Sequence, residues 1–328
     1  MTGLWLVLAR IVSNAVSLSD NLSDWVFTFA IQTIGLGVIP LLAYKLWVKE
    51  SIVKGFSLRV KLPGLVYVLA IGVGITLSLV TRAFSVLWQG VAFAVGFVPV
   101  NSVGTIFSSP EVLPMTLICT AVLPAIFEEL TYRGLGMATL ETVEDERMKI
   151  IMLALLFSLG HQFILQTGYT FIAGLAFAFI AVKTRSILPG MIIHFVNNAI
   201  SVVGEWAEQR ENVWNAFTER LNGVLFRTYG TVICVLIVSS ALTVGLLILI
   251  KRVMEKKKSE DYRATYYSPT TPYPYIDDVF GKSFYVTRGG ASVMGKRTSA
   301  WYEYAFLYAW VALTVATTVI SLVWGVMR

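Results

Sequence analysis

Residues 112–134 read VLPMTLICTAVLPAIFEELTYRG. An apolar run long enough to enter a bilayer ends in two adjacent acids, Glu128 and Glu129, and a base, Arg133. A helix rising 1.5 Å per residue needs about 20 residues to cross the hydrocarbon core. Ionisable groups are costly there and usually face a protein interior or a polar cavity. The stretch therefore predicts a membrane helix whose acids turn inward. Glu129 and Arg133 are four apart, share a helical face and can pair. Glu128 is then displaced by about 100° around the helix and left available for other work.

Working outward, the same apolar signal recurs along the chain. Candidate spans fall at 25–46, 64–81, 112–134, 150–167, 168–182, 186–205, 228–250 and 303–326. The fold class expected is all-α, a polytopic membrane helix bundle of about eight transmembrane helices around a polar intramembrane cavity. Composition agrees. Of 328 residues, 56% are hydrophobic and 14% charged, against about 25% charged in soluble domains, and mean hydropathy is +0.71. The net charge of +6 does not form a broad basic face, so nucleic acid is not an expected partner. Its clusters sit at span ends: Lys45, Lys49, Lys54, Arg59 and Lys61; Lys183 and Arg185; and Lys251, Arg252, Lys256, Lys257 and Lys258. With eight spans and both termini outside, all three lie on one side, which the positive-inside rule makes cytoplasmic.

The division expected is an N-terminal interfacial or short helix at 1–24, a transmembrane domain at 25–250 with its core motifs in 112–200, a cytoplasmic Lys/Tyr/Pro-containing loop at 251–302 and a C-terminal transmembrane helix at 303–328. The first residues, MTGLWLVLARIVSNAVSL, lack the basic start of a secretory signal. Residues 83–100 are apolar but break the charge parity as a ninth crossing, and are read as an interfacial or re-entrant element. Cys119 and Cys234 lie in apolar runs with no CxxC spacing and read as buried small hydrophobes. No nucleotide-binding glycine motif and no internal repeat is present, and no cofactor is expected.

Two further spans carry polar residues. FSLGHQF, 157–163, holds Phe157 and His161; GMIIHFVNNAI, 190–200, holds His194, Asn197 and Asn198. The chain has only two histidines, and both fall in these helices. Phe157 and His161 are four apart, as are His194 and Asn198, so each pair shares a face. The chemistry these groups permit is acid–base catalysis on water. Glu128 is the candidate base, His161 orients the water or shares its proton, and a histidine with Asn198 can donate to a developing oxyanion. Glu129 and Arg133 support the helix, and Phe157 packs behind His161. Two other readings stay open. Glu128, His161 and His194 could supply three zinc ligands, although no HExxH pair fixes two on one helix. Buried Glu and His also serve proton-coupled transporters.

The set EELTYR, FSLGH and HFVNN resembles the membrane-embedded CAAX protease and bacteriocin-processing (CPBP or Abi) family, whose pattern is EExxxR, FxxxH and Hxxx(N/D). The matched core covers 112–200. The resemblance implies an intramembrane endopeptidase of glutamate type, with Glu128 and His161 activating water and His194 and Asn198 stabilising the oxyanion. It also implies a membrane-associated protein or peptide partner, lipidated in the CAAX members, alongside membrane lipids. A noncatalytic immunity or scaffold protein that keeps the core is the remaining alternative. The location expected is the plasma membrane of a prokaryote. One geometric demand follows: the helix bearing Glu128 should start later than 112 and run through about residue 140 to bring that acid level with His161.

Overall fold

The computed structural model describes residues 25–26, 28–47, 61–98, 105–109, 111–140, 143, 145–209, 213–266, 275–277, 283–287, 290–291 and, near the C-terminus, 311–312, 314–320, 322–323 and 326. The element expected at 1–24 lies outside them. Up to residue 266 the described helices run in order: α1 (Thr28–Leu46), α2 (Gly64–Ala94), α3 (Val112–Leu135, continuing through Thr139), α4 (Glu146–Gly160), α5 (Ile164–Thr184), α6 (Leu188–Glu208), α7 (Val213–Leu225) and α8 (Tyr229–Tyr266). Among the described residues, α1, α2, α3, α5 and α8 are long and apolar enough to cross a membrane. With its 15 residues α4 is shorter, and α6 carries His194, Asn197 and Asn198. The chain is a multi-pass helical membrane protein.

Helix α2 corrects the reading of residues 83–100. It runs unbroken for 31 residues, about 46 Å, so residues 83–94 are its second half. Nothing between Thr81 and Ala94 can stop a helix: Pro is missing, and Gly90 is tolerated because Tyr229 packs over it. The chain turns only at Gly96, whose φ of +86° suits glycine. Residues 83–94 therefore add no separate crossing. One face of α2 exposes Leu65, Val68, Ile71 and Ile75, while Val66, Ala70, Val73 and Leu77 are buried. That is the two-sided pattern of a span with lipid on one side and protein on the other.

Close helix approaches build the core. Gly74 lets α6 lie on α2, since a Cβ there would come 2.7 Å from Val196 Cβ. Gly174 of α5 meets the α4 backbone in the same way, 3.0 Å from Ala154 Cα. Thr243 of α8 donates to Thr76 of α2 at 2.8 Å. The main core joins Val73, Leu77, Phe157, Phe177, Ile193 and Ile250, with Val311 packed against it.

Lys61, Lys183 and Lys257, one residue from each basic cluster, lie at one end of this bundle. Lys257 donates to Lys61 O, tying the end of α8 to the start of α2. At the other end of α2, Trp88 donates to Ile164 O at the start of α5, 2.8 Å away, so α5 runs antiparallel and returns Lys183 to the basic end. There Lys183 pairs with Glu146. The structure also moves some boundaries. The span expected to end at 250 continues to Tyr266 as a charged helix with the i,i+4 pairs Lys251–Glu255 and Lys256–Glu260. Beyond it, Tyr275–Asp277, Ser283–Thr287 and Gly290–Ala291 form a small antiparallel sheet in the order β1-β2-β3. Helix α7 had no counterpart among the expected spans.

Candidate active site

Helix α3 presents its acids from a locally widened backbone. It is α-helical over Leu123–Glu128 and π-helical over Ile118–Val122 and Glu129–Leu135. Such π segments are frequent at functional sites because they re-aim side chains within a continuous helix. The helix runs on past 134, through Thr139, as expected, but it begins at Val112, where a later start was expected.

Glu129, Arg133 and His194 form the buried heart of the site. Arg133 Nη1 lies 2.9 Å from Glu129 Oε1, and neither side chain is exposed. The guanidinium is held between two rings, 4.3 Å from the Phe157 centroid and 5.0 Å from that of Phe177, and cation–π attraction is strongest in such desolvated settings. Glu129 Oε1 also accepts from His194 Nδ1 at 3.1 Å. The His194 ring stacks on Phe177, with centroids 4.8 Å apart. Gly190, one turn before His194, admits the carboxylate: a Cβ there would lie 3.0 Å from Glu129 Oε2.

Glu128 faces a different set of partners. Its Oε1 accepts from Gln32 Nε2 of α1 at 2.9 Å. Its Oε2 is buried, has no hydrogen-bond partner among the described residues and stands 3.9 Å from His194 Nε2. Because Nδ1 of His194 meets a carboxylate, that nitrogen carries the proton, and Nε2 is the atom turned toward Glu128. Helix α1 reaches this position through a close seam on α3. Gly37 accommodates the Phe127 ring, which a Cβ would meet at 2.7 Å, and Thr131 donates to Leu36 O.

The other expected residues are placed as follows. Phe157 is buried at the centre of a ring cluster, 4.8 Å from His161, 5.8 Å from His194 and 5.4 Å from Tyr132, all edge-on. His161 ends α4, and its Nδ1 lies 2.9 Å from Phe157 O. A carbonyl only accepts, so Nδ1 donates and the Nε2 lone pair is free to act as a base. The chain then turns sharply at Gln162, φ +54°. His161 therefore joins the cluster through Phe157, and no hydrogen bond links it to Glu128 among the described residues. Asn198 Nδ2 donates to Thr120 O at 3.0 Å. Pro124, four residues on, has no N–H to offer that carbonyl, which explains the cross-helix bond. Asn197 Nδ2 donates to Asn198 Oδ1, and Thr81 of α2 donates to Asn197 Oδ1, at 3.0 and 3.2 Å. No group of three or more His, Cys, Asp or Glu converges to metal-binding spacing among the described residues, so the three-ligand set does not assemble in this geometry.

Sequence reasoning missed two residues here. Gln32 carries no charge and lies in an apolar run, and only the Gly35–Gly37 pair hints at close helix contact. Tyr132, one turn from Glu128 on the same face, has its hydroxyl against Gly160, where a Cβ would fall 2.0 Å from the oxygen. That contact predicts a measurable effect. Gly160→Ala must move either Tyr132 or the α4 end that carries His161. Overpacking of this kind costs about 1–3 kcal/mol, and a shift of about 1 Å at a reacting group can cost about 100-fold in rate. A lowered melting temperature together with reduced turnover is the expected pair of readouts.

Residues 110–200, which hold all three polar motifs, match the Rce1-like family, described as type II CAAX prenyl endopeptidase Rce1-like. The match spans the core that carries the resemblance to CAAX proteases. No curated protein and no solved structure matches the chain.

Proposed function

We propose that this protein is an intramembrane endopeptidase that hydrolyses a peptide bond of a membrane-anchored, lipidated substrate, with Glu128 as the base that activates water. The observation that carries the reading is the state of the Glu128 carboxylate. One oxygen is fixed by Gln32, while the other is buried, unbonded and aimed toward His194 Nε2. A carboxylate so held is oriented before reaction, which is where catalytic groups gain most.

In the proposed reaction, water attacks the scissile carbonyl carbon as Glu128 takes one of its protons. The carbonyl π electrons move to oxygen and form a tetrahedral oxyanion. His194 and Asn198 face that charge. With its Nδ1 proton committed to Glu129, His194 donates from Nε2 only when doubly protonated, a form whose charge the developing oxyanion balances, since Arg133 already pairs with Glu129. Asn198 retains one amide proton after bonding Thr120 O. As the intermediate collapses the C–N bond breaks, and the leaving amine takes a proton from Glu128, with His161 Nε2 as the relay between water and bulk. Arg133 holds Glu129, and Phe157 fixes both histidine rings.

Gln32 acts in this scheme by positioning. Gln32→Leu frees the carboxylate to rotate, so kcat should fall by about 10- to 100-fold with KM little changed. Gln32→Asn, which keeps the donor on a shorter arm, should retain more of the rate than Leu. A KM effect alone would move Gln32 to substrate binding. The substrate class is tested with purified protein in lipid nanodiscs, given a farnesylated peptide with a CAAX end and the same peptide without the lipid. Loss of the last three residues, at a kcat/KM at least ten-fold higher for the lipidated form, supports the reading. Equal turnover of both peptides overturns the lipidated class.

A further inference from the structure

Helix α7 (Val213–Leu225) takes no part in the site, and its surface is unusual. Val213, Trp214, Phe217, Leu221 and Val224 are 82%, 60%, 57%, 42% and 65% exposed. At 100° per residue they fall, with Leu225, within an arc of about 120°. The polar residues Asn215, Thr218, Glu219 and Asn222 share the other side. Asn222 ties that side to the bundle, donating to Glu208 Oε1 at the end of α6 at 2.7 Å. Glu208 in turn pairs with Arg82 at 3.4 Å, and Arg82 lies 5.0 Å over the Phe226 ring.

The position of α7 determines what its apolar arc can meet. Its 13 residues span about 20 Å, too short to cross a bilayer. Both neighbours in the chain, α6 and α8, are bundle helices, joined to it only through 209–212 and 226–228. Helix α7 is therefore held between the end of α6 and the start of α8, at the bundle end opposite Lys61 and Lys183. Where it meets α8 lies an open, mostly apolar groove of about 460 Å³, lined by Val224, Leu225, Gly230, Cys234 and Val235 together with Thr228 and Thr231. The groove continues into the exposed α8 stripe of Tyr229, Ile233 and Ile237, a surface that faces acyl chains in any membrane-spanning arrangement. Arg220 flanks the apolar arc of α7 and Arg227 follows the helix, where lipid phosphates lie.

We propose that α7 is an interfacial helix embedded in the leaflet opposite the basic clusters, and that the acyl chain of a bilayer phospholipid occupies the groove between α7 and α8. A large amphipathic arc with basic flanks is the pattern of helices that lie in the headgroup boundary. A water-facing α7 would instead leave a contiguous apolar patch of a kind that soluble surfaces rarely carry. The proposal does not depend on the proteolytic reading.

The test uses the whole protein in nanodiscs of phosphatidylethanolamine and phosphatidylglycerol. In a Cys119→Ala, Cys234→Ala background with a wild-type-like melting profile, nitroxides are placed by Phe217→Cys, Leu221→Cys, Val224→Cys and Glu219→Cys. Cys119→Val serves where Cys119→Ala melts early. Labels at 217, 221 and 224 should collide at least three-fold more with oxygen than with a water-soluble nickel chelate, and the label at 219 should show the reverse. In Cys119→Ala alone, a fluorophore on native Cys234 should be quenched by lipids brominated on the acyl chain. Greater nickel access at 217 and 221 would place the arc in water. Access to neither reagent would place it under protein, a second copy included. Either result, or an unquenched Cys234 label, overturns the proposal.

Discussion

Glu128→Gln is expected to leave a folded protein without turnover. Gln keeps an oxygen where Gln32 Nε2 now donates at 2.9 Å, so the seam between α1 and α3 survives and the melting temperature should change little. What is lost is the buried Oε2, the atom that would take a proton from water. General-base catalysis contributes about 10²–10⁴-fold, and without it the rate should fall by at least that factor at every pH. A folded Glu128→Gln variant with wild-type kcat would remove Glu128 from the chemistry and leave the π-helical distortion around it without a catalytic purpose.

Arg133→Met should act on folding before chemistry. Arg133 and Glu129 are both fully buried, and the guanidinium fills the space between Phe157 and Phe177. Met approximates its length but leaves Glu129 a buried anion with only His194 Nδ1 beside it. Removing one partner of such a pair costs about 3–5 kcal/mol, a fall in melting temperature on the order of 10 °C for a chain of this size. The double variant Glu129→Gln, Arg133→Met should recover most of that loss, because no charge is then stranded. A single variant as stable as wild type would show that the pair is hydrated.

The pairings within one helix were legible in the sequence because helical spacing determines them. Glu129 with Arg133, and Phe157 with His161, are each four apart, and the structure joins both. His194 and Asn198 do share a face, yet each is engaged by a different part of α3, Glu129 and Thr120 respectively. Contacts between helices were not legible. Spacing cannot say that Gln32, far away in the chain, caps Glu128, nor that the histidine turned toward Glu128 at 3.9 Å is His194. The limits of hydropathy are equally physical. A window of span length cannot distinguish a 31-residue helix such as α2 from a span followed by a surface segment; only the absence of a stop signal before Gly96 does so. Helix α7 escaped because its apolar residues form an arc rather than a run. Of the basic residues, Lys61 and Lys257 do share an end, where Lys257 donates to Lys61 O.

The central claim is that Glu128 drives peptide hydrolysis in the membrane. Its most direct test is a mass-spectrometric comparison of peptide termini in native membranes containing the wild-type protein or Glu128→Gln, matched for expression and folding, with and without a chelator. The account predicts new termini that appear with wild type, vanish in the variant and persist under chelation. Identical termini in both membranes would contradict it and favour a transport or scaffold role for the same buried polar cluster. Termini lost on chelation would contradict the metal-free mechanism.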